Sequence, residues 1–313
     1  MTKLLINLFN GGKVLGSAVK FAKFYLIIDG SEAHDVDIGD AFIKFTQNLR
    51  KTVQSTKTGE AAFKPSIEGS YFNAFGNINE TFKAVEDAIG ASGANTESRK
   101  VFKIGINCEG ESYFNKDPKD ANKYEVEGAK NQHDQDQLAD YYIKVCQEHP
   151  LVIYIEDPYA NADFKGYQKL RAKLQANPAL SHIQVGIQSL HQDTGIQKIL
   201  QVAQFEEQEG AQGDPSSFDV NKDKITPDCV NITRSQFKTV SELVNFLRVL
   251  KSGFSEDRQI TTIVNDNKFD SLQGSIVDLA VGLNCEYLNM KGFFRPEKIA
   301  KVFRYAEIVE ESQ

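Results

Sequence analysis

The sequence predicts an α/β barrel of eight strands filling a single domain, residues 1–313, and three observations carry that expectation. Two apolar runs, Leu4–Phe9 and Lys23–Ile28, come first. Six short β-like runs then alternate with segments of helical spacing, the pattern of parallel strands joined by helical crossovers. The chain, 41% hydrophobic and 25% charged over 313 residues, is long enough to bury one large core. An open, doubly wound sheet uses the same units; two strands plus six favour closure.

The later strands are expected at Val101–Asn107, Leu151–Ile155, His182–Ile187, Cys229–Ile232, Ile260–Val264 and Glu286–Leu288. Helical spacing marks Asp136–Glu148, Phe164–Leu174, Thr194–Ala203, Val240–Leu250, Gly274–Leu283 and Pro296–Glu310. In the last, Ile299, Val302, Phe303, Tyr305, Ala306 and Val309 recur at three-to-four spacing and predict one apolar face. Pro296 suits the first helical turn, where its missing N–H has no partner to lose.

Two polar stretches break the rhythm. Residues Phe205–Asp228 are far longer than the usual connection in such folds and read as an inserted loop. Asp219, Asn221 and Asp223 imitate a calcium loop there, but Lys224 stands where the turn glycine belongs and Val230 where the closing glutamate belongs. Asn115–Gln135 is the second, with room for a small hairpin.

A formal charge of −7 and no block of Lys and Arg argue against nucleic acid and anionic membranes as partners. Cys108, Cys146, Cys229 and Cys285 are widely spaced and read as buried free thiols in a reducing compartment, the cytoplasm. The apolar start is too short for a signal peptide or a membrane span. His34, His133, His149, His182 and His191 sit in polar or terminal contexts and are expected on the surface or in loops.

The run "LVIYIEDPY", Leu151–Tyr159, delivers Glu156 and Asp157 to the end of a buried strand, where carboxylates bind a metal or move a proton. With "YIEDPY" and the later "FRPEKIAKVFRYAEIVEE", the chain resembles the enolase (phosphopyruvate hydratase) family in its carboxy-terminal barrel domain. "NLFNGGKVLGS" is similar to the family's first barrel strand and its Asn-Gly-Gly turn, and "IEGSYFNAFGNINETFKAVEDAI" to its Glu-Gly-Gly-Phe segment and following helix. "FKIGIN", "DQLADYY", "SQFKTVSE" and "SIVDLAVGL" agree in order. The resemblance implies a TIM-type barrel of ββαα(βα)6 order, with no counterpart of the family's amino-terminal capping domain.

It also implies a chemistry, dehydration of 2-phosphoglycerate to phosphoenolpyruvate in glycolysis with magnesium, against which each site position is compared. Glu156 matches a metal-ligand glutamate; Asn107 replaces an aspartate ligand, and Ile187 and Gln188 fall where the family has two aspartates, so the third ligand position is Gln188. Thr233 stands in place of the base lysine. A second active-site lysine falls on Asn289 or Met290, with Lys291 adjacent. Asp266 and Asn267 replace a substrate-holding His-Arg pair, Val14 an early histidine and Lys23 a glutamate; Glu68 keeps the general-acid position. General acid–base catalysis contributes about 10²–10⁴-fold and one charge-stabilising group about 10²–10³-fold, so losing these groups together removes essentially all dehydratase activity. The expectation is a catalytically degenerate enolase-like scaffold, without cofactor unless magnesium serves a surviving function. Its partners are then other proteins, in enolase-type pairing or in a multi-subunit assembly such as the ciliary axoneme, a location the resemblance adds to the cytoplasm. The alternative is an active magnesium-dependent lyase, with Lys291 as a relocated base.

Overall fold

The computed structural model describes residues 1–56, 65–92, 98–115, 123–126, 132–161, 163–188, 229–233, 239–252, 261–266 and 272–313. The expected helix 194–203 and inserted loop 205–228 lie outside them.

Strands β1 (Lys3–Asn10), β2 (Lys23–Ile28), β4 (Phe102–Asn107), β5 (Val152–Glu156), β6 (Gln184–Ile187), β7 (Cys229–Thr233), β8 (Thr261–Asn265) and β9 (Tyr287–Lys291) follow one another around a closed barrel, β9 pairing back onto β1. The two-residue β3 (Tyr71–Phe72) adds to β1 in parallel. β2 runs antiparallel to both β1 and β4, and every other barrel pairing is parallel. The ββ opening is thus real. Helices α1 (Ile38–Gln54) and α2 (Ile78–Gly90) follow it, then short α3 (Ser98–Val101) and α4 (Gly110–Tyr113). The outer layer continues with α5 (Gln135–Glu148), α6 (Phe164–Ala176), α7 (Val240–Ser252), α8 (Ser275–Gly282) and α9 (Pro296–Glu311). Side-chain caps fix several starts: Asp37, Asn77 and Asp163 each accept from a first-turn backbone N–H, and Asp134 with Gln137 forms a capping box.

Period-two alternation sorts the strand residues. One side of each strand packs on the helices in the large core, including Leu4, Leu26, Ile104, Ile155, Val264 and Leu288. The other side fills the barrel with Leu5, Tyr25, Ile27, Tyr154, Cys229, Ile263 and Tyr287. All four cysteines are buried, and none of them is in a disulfide. Bridges Phe114↔Tyr124 and Tyr124↔His133 give the 115–135 stretch antiparallel pairing where it is described.

One sequence expectation needs correction and one needs refinement. The buried side of α9 is Lys298, Lys301, Val302, Tyr305 and Val309, while Ile299 and Phe303 are more than a third exposed. The helix is rotated from its apolar stripe because both lysines turn inward to a buried carboxylate. His149 keeps the expected loop position, directly after α5, but is buried there; its ring stacks on Phe82 and its Nδ1 lies 3.0 Å from Glu86 Oε1.

Candidate functional site

The mouth of the barrel is where the parallel strands end, and there the inward positions turn polar. β4 delivers Asn107, β5 Glu156, β7 Asn231, β8 Asn265 and β9 Asn289, while the antiparallel β2 contributes its first residue, Lys23, and β1 contributes Asn7. Lys23, Asn107, Glu156 and Gly186 are successive register partners across four strands. Asn7, Glu156, Asn231 and Asn289 are fully buried.

Glu156 is the hub of this belt. Its Oε2 accepts from Tyr25 Oη at 2.7 Å and Asn107 Nδ2 at 2.6 Å; its Oε1 accepts from Tyr154 Oη at 3.0 Å and Asn231 Nδ2 at 2.7 Å. Burial, followed by the negative charge of Glu156, pushes both phenols well above the ordinary tyrosine range, so they remain donors. The Asn107 carbonyl oxygen is turned away, accepting the Glu109 backbone N–H at 3.0 Å. Gln188 approaches Asn107 Nδ2 at 3.4 Å with its own side-chain oxygen, and its backbone N–H donates to Asp157 Oδ1 at 2.8 Å. Asp157 sits in the left-handed region, φ 48°, which aspartate tolerates better than most residues.

This arrangement tests the fit of magnesium, the cation the resemblance implies. A hard cation needs oxygen lone pairs converging on one point. Around Glu156 the neighbouring groups instead aim four N–H and O–H hydrogens at the carboxylate. Asn107, the second ligand position, presents its nitrogen. Among the described residues no three His, Cys, Asp or Glu side chains gather where they could hold a metal ion. The donor set does not fit magnesium.

Glu68 stands across the mouth, on the turn before β3. Gly292 N donates to Glu68 O at 2.9 Å and Phe293 N to Gly69 O at 2.8 Å, clamping the turn to the end of β9. A Cβ on Gly292 would lie 2.1 Å from Gly69 backbone atoms, so the close approach requires glycine. Lys23 Nζ pairs with Glu68 Oε2 at 3.2 Å, and Asn7 Nδ2 approaches the same oxygen at 3.2 Å. Burial pushes the Glu68 carboxyl up, but Lys23 and Lys291 together with these hydrogen bonds outweigh it and hold the carboxyl below its usual range. A general acid needs the opposite state.

The remaining predicted positions divide. Asn289 points into the barrel and accepts the Lys291 backbone N–H at 3.0 Å, while Met290 belongs to the outer core. Lys291 follows in the left-handed region, φ 65°, near enough for its charge to act on Glu68. Asp266 is not an anion facing the mouth as expected; it is buried, and its Oδ2 accepts from Lys298 Nζ at 2.6 Å and Lys301 Nζ at 2.7 Å. Ile187 packs in the outer core, and Val14 is 73% exposed on the loop after β1. Thr233 ends β7, but its side chain lies outside the described part, as does Asn267 entirely.

Sequence reasoning missed Tyr25, Tyr154, Asn7, Asn231 and Asn265. The available signal was an asparagine at or near the end of each of five apolar strands. The tyrosines gave none, since an inward tyrosine in a strand also reads as core.

The comparisons with known proteins agree with this architecture. The family model described as enolase, C-terminal TIM barrel domain, matches residues 3–185. The enolase of Methanococcus aeolicus is 26% identical over 308 residues, 98% of this chain and 62% of the relative. The enolases of Metallosphaera sedula and Ehrlichia canis are each 24% identical, over 98% and 95% of this chain and 64% and 60% of the relatives. The chain therefore spans about three-fifths of the length of the curated relatives it matches. No described helix is long and apolar enough to cross a membrane. A family model covering more than half the chain, over a closed ββαα-opening barrel, makes this chain a member of the enolase family through its C-terminal barrel domain.

Proposed function

We propose that this enolase-family barrel does not dehydrate 2-phosphoglycerate and serves instead as a structural element of a larger protein assembly, for which a ciliary axoneme is the setting the family resemblance suggests. The observation that carries the first half is the belt around Glu156, whose carboxylate accepts from two phenols and two amides. A carboxylate so engaged is held by the fold. Releasing it to a cation means breaking charge-assisted hydrogen bonds worth about 1.5–3 kcal/mol each. The second half rests on a barrel whose core is intact while its mouth has changed, since a fold outlives the chemistry grafted on it.

One observation favours the competing reading of an active phosphopyruvate hydratase: Lys291 lies close enough to Glu68 to influence its ionisation, so a lysine and a carboxyl share the mouth. The purified chain, incubated with 2-phosphoglycerate and magnesium, is expected to form no phosphoenolpyruvate above the uncatalysed rate. Turnover near that of an ordinary enolase overturns the proposal, and loss of that turnover in Lys291→Met would establish the alternative. For the structural role, the chain is expected to co-purify in a stable complex. Recovery only as a free monomer counts against it.

A further inference from the structure

Away from the mouth, at the end where the parallel strands begin, lies a cavity of about 250 Å³. β6 and β8 line it with their first residues, Gln184 and Thr261, and the segment between α6 and β6 with Ser181 and His182. The second half of α6 adds Arg171. Thr261 begins β8 and Asn265, at the mouth, ends it, so about 13 Å of strand separates the cavity from the belt around Glu156.

Its lining is one-sided in charge. The eight residues include a guanidinium and an imidazole but no carboxylate, in a chain whose formal charge is −7. Lys169 and Lys173, on either side of Arg171 in α6, turn to Asp136 and Asp140 of α5, while Arg171 goes to the cavity. Arg171 is half-buried, and its planar fork of five N–H groups matches the oxygens of an oxyanion. Tyr287 Oη donates to Gln184 Oε1 at 2.6 Å, which leaves Nε2 as the donating end of that amide. The two hydroxyls are set the other way. Thr261 Oγ1 donates to Cys229 Sγ at 2.9 Å and Ser181 Oγ to the Pro178 carbonyl at 3.2 Å, so each keeps lone pairs to offer.

We propose that this cavity binds inorganic phosphate. Its ionised oxygens accept from Arg171, Gln184 Nε2 and the His182 ring, and the P–O–H group that phosphate keeps at neutral pH donates to the hydroxyl oxygen of Ser181 or Thr261. Sulfate has the same shape but no hydrogen to give, and a phosphate monoester loses its last P–O–H proton at about pH 6. The site lies apart from the mouth, so it holds whether the barrel is a structural element or an active hydratase.

Amide NMR of the full chain near neutral pH, with sodium phosphate as the probe and sodium chloride holding ionic strength constant, tests this. The backbone signals of residues 181–184 and the Gln184 side-chain amide are expected to shift and saturate, while the side-chain amides of Asn107, Asn231 and Asn289 at the mouth stay in place. Arg171→Gln should weaken binding about tenfold or more, the loss of a charge-assisted contact. His182→Ala, at an exposed position, should weaken it as well and keeps the test open if Arg171→Gln folds poorly. Sulfate and glycerol phosphate should both bind more weakly than phosphate. A linear phosphate response, saturation at the mouth instead, an affinity unchanged in the variants, or tighter binding of sulfate or glycerol phosphate overturns the proposal.

Discussion

Asn107 turns its amide nitrogen onto Glu156 Oε2 at 2.6 Å and gives its carbonyl oxygen to the Glu109 backbone, so the position expected from the resemblance to be a metal ligand here holds the carboxylate of Glu156 instead. Asn107→Asp sets carboxylate against carboxylate in a buried place. It should cost roughly 2–4 kcal/mol without divalent cation, and magnesium should recover part of that loss. Urea unfolding with and without magnesium measures both. A variant as stable as wild type in chelator would show that the amide contributes nothing to holding Glu156.

Removing the hub has a larger effect than altering one spoke. Glu156→Ala takes the acceptor from buried donors on Tyr25, Tyr154 and Asn231 and leaves Asn107 only its 3.4 Å contacts to Asp157 and Gln188, at a cost of roughly 3–5 kcal/mol. Glu156→Gln keeps one acceptor and should cost about half as much. Equal unfolding midpoints for wild type and Glu156→Ala would exclude a structural role for the belt.

These residues show where sequence reading reaches its limit. The apolar runs Val101–Asn107, Leu151–Ile155 and Ile260–Val264 located the strands to within a residue or two, because strand length and alternation are local properties. Which asparagines meet is a matter of register around a closed barrel, and no local pattern encodes it. Asn107 was legible as a missing charge; that its nitrogen faces Glu156 was not. The apolar stripe of α9 misleads for the same reason: three-to-four spacing puts Ile299 and Phe303 on its buried face, whereas Asp266, just past the end of β8 and more than thirty residues earlier, draws Lys298 and Lys301 in.

Glu68 makes stability depend on pH with a definite sign. Its folded-state pKa lies below the unfolded value near 4.5, so its contribution is present above that value and is lost as pH falls through the lower folded value. Wild type should therefore exceed Glu68→Gln in stability at pH 7. That difference should shrink as acid is added and vanish once the folded carboxyl is protonated. Urea midpoints for both proteins across the acid range test this, and a gap that widens on acidification contradicts the pairing with Lys23.

The Asp266 cluster predicts an asymmetry between its members. Asp266→Asn leaves two buried ammonium groups facing a neutral amide and should cost roughly 3–5 kcal/mol. Lys298→Met removes one of the two ammonium groups given to Asp266, keeps its pairing with Lys301 and replaces the lysine with a side chain of similar volume. It should cost less than about 2 kcal/mol. Chemical denaturation ranks the two, and the reverse order would mean that Asp266 is not what draws α9 inward.

Gly186 shows how the barrel wall sets the geometry of the hub. A Cβ at that position would lie 2.1 Å from Tyr154 Oη and 2.7 Å from two ring carbons, while the same hydroxyl is 3.0 Å from Glu156 Oε1. An added methyl must therefore push Tyr154 off the carboxylate it serves. Gly186→Ala should cost roughly 1–3 kcal/mol through overpacking and the lost hydrogen bond. In a Tyr154→Phe background the hydroxyl is absent, so the same substitution meets only the ring edge and should cost measurably less. A double-mutant cycle on unfolding free energies gives the coupling directly. Strictly additive effects would show that the wall at Gly186 and the hydrogen bond to Glu156 are independent.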